Sequence, residues 1–209
     1  MRTQMFTVTM GFVFVTIFGA PQRLAADDAR SDSGWESTTL PVRLQCDQLP
    51  NLVQIHQKVI SGGLPKDPAA FRQLADLGIK TIVSVDGMTP DVKMASAHGM
   101  RYVHLPHGYD GIPETRVQEL AKAVRDLDGP IYIHCHHGKH RGPAVAAIAC
   151  IVSGASDSEG AIAILERAGT SKAYAGLWRD VRAYQLPPSD QVLPDLVEVA
   201  EVNSMASAM

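Results

Sequence analysis

The stretch whose reading decides the fold is His134-Cys135-His136-His137-Gly138-Lys139-His140-Arg141-Gly142. Before it comes Pro130-Ile131-Tyr132-Ile133, with the β-branched and aromatic content of a buried strand. After it comes Pro143-Ala144-Val145-Ala146-Ala147-Ile148-Ala149, which suits a helix with Pro143 in its first turn, where a missing N–H is tolerated. The order is strand, tight loop, helix. Such a loop turns backbone N–H groups toward a common centre at the positive end of the helix dipole, so it is built to hold an anion. Cys135 enters that cradle from the strand and Arg141 closes it from the helix.

The residue types fix the chemistry that this geometry would serve. A thiol beside a helix N-terminus and an arginine is favoured as thiolate, the nucleophilic form. The planar guanidinium of Arg141 can bind two oxygens of a phosphate at once. Gly138 allows close backbone approach, and the loop amides from His136 through Gly142 (His136, His137, Gly138, Lys139, His140, Arg141, Gly142) are the expected phosphate-binding set. With its His-Cys-x5-Arg pattern, the sequence resembles the cysteine-dependent protein tyrosine and dual-specificity phosphatase superfamily. Gly138-Lys139-His140-Arg141 is most similar to the atypical plant and fungal dual-specificity phosphatases, whose loop usually reads HCxxGKHRTG. The resemblance implies a phosphocysteine intermediate on Cys135, phosphate coordination by Arg141, and no cofactor.

Two positions depart from that pattern. The family usually has Ser or Thr after the arginine, where a hydroxyl eases departure of the cysteine thiolate, and this chain has Gly142. The change implies slower breakdown of the intermediate, and it keeps open a phosphate-binding pseudo-phosphatase without turnover. Pro143 in place of a usual Gly reads as structural. A rhodanese-like sulfurtransferase, which also presents a cysteine in an amide-lined loop, is the rival enzyme class. The arginine spacing and the preceding histidine favour the phosphatase.

Working outward, turn residues divide the chain into alternating strands and helices. Leu52–Ile55 and Lys58–Ser61 read as short strands, and Pro68–Leu77 as a helix with Asp67 as N-cap and Gly78 past its end. Ile79–Val85 is a strand, Thr89–His98 a helix stopped by Gly99, Met100–Leu105 a strand and Pro113–Leu127 a helix. Ala144–Val152 is an apolar helix. Ser156 is the expected cap of the next helix, through Ala168, with Glu159 completing a capping box. Lys172–Tyr184 carries Tyr174, Leu177, Trp178, Val181 and Tyr184 at helical spacing, a stripe read as core, with Arg179 and Arg182 on solvated faces. The alternation predicts an α/β fold with a mostly parallel central sheet flanked by helices, and ligands at the strand C-terminal ends. The resemblance implies a protein tyrosine phosphatase-like domain of dual-specificity size.

The segment Pro106-His107-Gly108-Tyr109-Asp110-Gly111-Ile112-Pro113 is a Gly- and Pro-rich loop able to act as a lid. Hydrolysis of a phosphate ester needs an acid for the leaving oxygen and then a base for water. In the family an aspartate on this loop fills both roles, and Asp110 stands in that place, against a plain turn role beside Gly111. Glu114 is the reserve, more simply explained as a helix-dipole charge, and Asp86 beside Gly87 reads as a turn residue.

Residues 1–26 have a charged start at Arg2, an apolar run from Met5 to Ala20 and small residues at Leu24-Ala25-Ala26, the pattern of a secretory signal peptide cleaved near Ala26. The run is shorter than the ~20 residues of a bilayer span. Export to the periplasm or beyond is therefore expected, with membrane contact only during export. Residues 27–51 read as an N-terminal arm, 52–186 as one catalytic domain, and 187–209 as a loosely ordered tail.

A net charge of −3 argues against general nucleic-acid binding. The expected partner is a phosphorylated substrate, a small polyanion such as an inositol phosphate or else a phosphoprotein; the oligomeric state is open. Three cysteines make no disulfide framework; a Cys46–Cys150 bridge is conceivable in an oxidising compartment, and a buried Cys150 is the preferred reading. His134, His136, His137 and His140 raise a metal site, but an anion loop points its side chains outward and spreads them apart, so none is expected. His134, still on the strand, reads as a buried histidine that fixes the loop, and Lys139 and His140 as residues of the pocket mouth.

Overall fold

The structure, a computed structural model, describes residues 41–194 and residue 196. The signal-peptide reading of residues 1–26 lies outside the described residues, as do residues 27–40 of the arm and most of the tail beyond 194. Six strands form one sheet: β1 (Val42–Arg43), β2 (Val53–His56), β3 (Val59–Gly62), β4 (Thr81–Ser84), β5 (Arg101–His104) and β6 (Ile131–His134), in the order β1-β2-β3-β6-β4-β5. The pairings β3/β6, β6/β4 and β4/β5 are parallel, and β1/β2 and β2/β3 antiparallel. The sheet is mixed and mostly parallel, as the alternation of elements predicts. The short β1 falls within the segment read from sequence as an arm.

Six helices connect or cover the strands: α1 (Pro68–Asp76), α2 (Val92–Ala97), α3 (Glu114–Asp126), α4 (Arg141–Val152), α5 (Ser158–Ala168) and α6 (Ala175–Ala183). Asp67 caps α1 by accepting from Ala70 N at 2.9 Å, as its place before Pro68 predicts. Helix α2 starts later than its sequence signature, because the Asp91 carboxylate accepts from Met94 N at 2.9 Å and sets the first turn there rather than at Thr89. Helix α5 corrects the expected cap. Asp157, not Ser156, accepts from Gly160 N at 2.8 Å, and the Ser156 hydroxyl instead donates to the Asp157 carbonyl.

Side chains alternate across each strand and divide the core in two. On one face Val83, Val103, Ile131, Ile133 and Cys135 pack with α3, α4, α5 and α6; on the other Ile60, Ile82, Tyr102 and Tyr132 pack with Phe71 and Leu74 of α1 and Ala95 of α2. Helix α4 packs against β3, β6, α3, α5 and α6, and every residue from Gly142 to Ile151 is buried. That enclosure explains why its sequence is apolar on all sides rather than striped. It also fixes the start of the helix, where the loop ends. After α6 the described chain has no helix or strand, yet Leu193 is 5% exposed and Leu196 packs on the first face, so part of the segment read as a loose tail contributes to the core. Among the described residues, no helix is long and apolar enough to cross a membrane.

All three cysteines are free. Cys46 packs on the α1/α2 side of the sheet and Cys150 on the α4 side, so the sheet itself separates the pair that the sequence left conceivable as a bridge. Cys150 is buried, and burial pushes its thiol up to about 12.

Candidate active site

The site is built where β6 stops and α4 starts. His134 ends the strand, Cys135 follows, and Arg141 is the first residue of α4 with His140 as its N-cap. Gly138 has φ +69°, and a Cβ there would run into the backbone of Gly62 and Gly63 at the end of β3. Only glycine satisfies both the left-handed backbone and the close approach.

The loop is tied down through its carbonyls. Asn51 Nδ2 donates to His137 O at 2.8 Å, Leu64 N to His136 O at 3.3 Å, and Thr170 Oγ1 to Lys139 O at 3.0 Å. In a planar trans peptide the N–H of the next residue points opposite to the carbonyl. Holding these three carbonyls outward therefore turns the N–H groups of His137, Gly138 and His140 toward the inside of the loop. Asn51, Thr170 and the chain around Leu64 carry no motif, which is why the sequence did not single them out.

His134 is fully buried, and its Nε2 lies 2.6 Å from the Tyr102 hydroxyl. Burial pushes it down to about 4, so it is neutral at physiological pH. This is the buried histidine that its strand position predicts. His140, expected at the mouth, is half-buried: its Nδ1 accepts from Ser171 N at 3.2 Å and its ring packs edge-on against Tyr174 with centroids 4.8 Å apart. Lys139 and His137 are exposed. Among the described residues no group of three or more His, Cys, Asp or Glu side chains is placed to hold a metal ion.

Arg141 reaches the loop before α3. Its Nη1 donates to His107 O at 3.0 Å, and its guanidinium carbon lies 4.5 Å over the Tyr109 ring. Tyr109 in turn stacks on Tyr174, with centroids 4.4 Å apart, so Tyr174 joins the site rather than serving only as core. Asp110, exposed, comes next in that loop.

Helix α6 supports the loop from behind. The Asp180 carboxylate accepts from Ile112 N at 2.7 Å and from Arg179 Nε at 2.7 Å, and Arg179 Nη2 donates to Asp110 O at 3.3 Å. Arg179 is thus engaged with the loop and not merely a solvated charge. Glu114 accepts from Gln118 Nε2 at 3.2 Å along its own helix, and Asp86, buried, accepts from Met88 N at 2.9 Å in a turn.

No protein-family model matches the chain. Over 135 residues, 57% of this chain and 77% of the relative, it is 29% identical to protein tyrosine phosphatase PRL-1 of Leishmania major. Among solved structures, P. aeruginosa TpbA matches with a TM-score of 0.58 and 21% identity over 69% of this chain and 91% of that one. The catalytic core of the S. cerevisiae PP-IP phosphatase SIW14, in complex with citrate, matches with a TM-score of 0.55 and 19% identity over 76% and 94%. In fold, and in the sequence of the loop between β6 and α4, the chain is similar to cysteine-dependent phosphatases of the protein tyrosine phosphatase type.

Proposed function

We propose that the chain hydrolyses phosphate monoesters, or phosphoanhydrides of small polyanions, with Cys135 as nucleophile, Arg141 as phosphate clamp and Asp110 as general acid and then base. The observation that carries this reading is the cysteine directly after β6, at the start of a loop with three carbonyls bonded to Asn51, Leu64 and Thr170 and with Arg141 at its exit. Sulfur attacks phosphorus, the ester oxygen leaves with a proton from Asp110, and water then attacks the phosphocysteine while Asp110 takes its proton back. Arg141 Nε is buried without a partner, a donor free to bind a phosphate oxygen.

The exposed Lys139 and His137 at the rim suit a highly charged small phosphate, and the SIW14 neighbour is a PP-IP phosphatase. A second reading has its own support: the Tyr109–Tyr174 stack beside Arg141 offers an aromatic wall to an aryl ring, and a solved form of TpbA is in complex with pTyr. Relative kcat/KM for an inositol pyrophosphate and a phosphotyrosine peptide separates the two. Cys135→Ser is expected to abolish turnover of a generic aryl phosphate; retained activity would remove the nucleophile assignment. Export after cleavage near Ala26 rests on the sequence of residues 1–26, and N-terminal sequencing of the mature protein tests it.

A further inference from the structure

Gly142 leaves the position after the arginine without a side chain, yet the space beside it holds a hydroxyl. A Cβ at 142 would lie 3.2 Å from Cys135 N and 3.3 Å from Ser61 Oγ. Ser61 is on β3, in register with Ile133 of β6. Because side chains alternate along a strand, positions 61, 133 and 135 point to the same side of the sheet, the side on which Ile133 and Cys135 pack with α4. Ser61 therefore sits diagonally across from Cys135, under the loop.

Its hydroxyl is also unspent. Ser61 is 1% exposed and its Oγ has no hydrogen-bond partner. A buried unpartnered hydroxyl costs about 1–3 kcal/mol, and an alanine would fill the position without that cost. Such a group calls for an explanation in the working state of the site. A hydroxyl is a rotor whose proton can follow a charge that appears nearby.

That charge arises in the second half of the proposed reaction. When water attacks phosphorus, the S–P bond breaks, its electron pair returns to sulfur as thiolate, the water proton goes to the Asp110 carboxylate and inorganic phosphate leaves. The developing negative charge on sulfur is stabilised by any donor already aimed at it. We propose that Ser61 is a catalytic residue that hydrogen-bonds the Cys135 sulfur as the thiolate departs, supplying from β3 the hydroxyl that Gly142 lacks. This rests on the phosphocysteine reading above.

Rapid-quench kinetics of the full chain with an aryl phosphate, with trapping of the phosphocysteine, test it. In Ser61→Ala, aryl alcohol release in the first turnover keeps its wild-type rate, while steady-state turnover falls about 10- to 100-fold, the worth of a hydrogen bond to a charged group. Phosphocysteine then accumulates and a burst appears. Ser61→Thr and Ser61→Val, equal in shape and different in the hydroxyl, repeat the contrast if the smaller residue perturbs folding: threonine keeps turnover and valine shows the burst. Wild-type turnover in Ser61→Ala and Ser61→Val, or equal slowing of both phases, overturns this inference alone. Retained turnover in Cys135→Ser overturns the underlying reading instead.

Discussion

Two loops meet at Arg141, and they are held by different means. The loop from Cys135 to His140 is fixed by backbone: its carbonyls bond to Asn51, Leu64 and Thr170, Gly138 is wedged against β3, and the buried α4 sets its exit. The loop from Pro106 to Pro113 is exposed at Gly108, Tyr109 and Asp110, and hangs on a few bonds to Arg141, Arg179 and Asp180. The contrast matches the tasks proposed for the two loops. A phosphate cradle must have its dipoles in place before charge develops, so that none has to be reoriented during reaction. A segment that admits substrate and then brings up an acid must be able to open, and so draws on weak, solvent-accessible contacts.

Filling the rigid loop is the most direct way to break this comparison. Gly138→Ala places a Cβ into the Gly62–Gly63 backbone at a φ that disfavours any side chain. Aryl phosphate turnover is expected to fall about 100-fold or more, with a lower urea midpoint; near-normal values for both would show that the loop tolerates displacement.

His134, at the root of the same loop, sharpens the comparison through pH. Its folded pKa, about 4, lies below the ordinary histidine value near 6.5, so between these values the unfolded chain binds more protons. The stability contribution is complete above about pH 6.5 and is lost as pH falls toward 4. Urea titrations at several pH values are expected to show this slope reduced in His134→Gln; an unchanged slope would assign it to other groups.

The second loop is probed by Asp180→Ala, which removes the acceptor for Ile112 N and the partner of Arg179. About a 10-fold fall in kcat is expected for alkyl phosphates, whose leaving oxygen needs a proton, and little change for activated aryl phosphates, which leave unaided. An equal fall for both substrates would mean that Asp180 supports the fold rather than the placement of Asp110.

Most of the elements were legible before any coordinates because local rules govern them: Asp67 caps α1, Gly99 follows α2, and the β-branched runs become β4 and β6. The cap of α5 is a choice between two neighbouring residues, Asp157 over Ser156. Beyond the core and surface places that their spacing gives them, His140, Tyr174 and Arg179 take partners 31, 65 and 69 residues away in sequence. Nothing in a local window weighs such contacts.

The sequence by itself determined that a tight loop follows a buried strand and opens a helix, because turn chemistry, helix entry and the Cys135/Arg141 spacing are local properties of nine consecutive residues. Only the tertiary structure decided what holds that loop and what stands beneath it. Asn51, Thr170 and Ser61 reach it from 86, 31 and 74 residues away, and hydrogen bonding and burial depend on which strands become neighbours, not on their order in the chain.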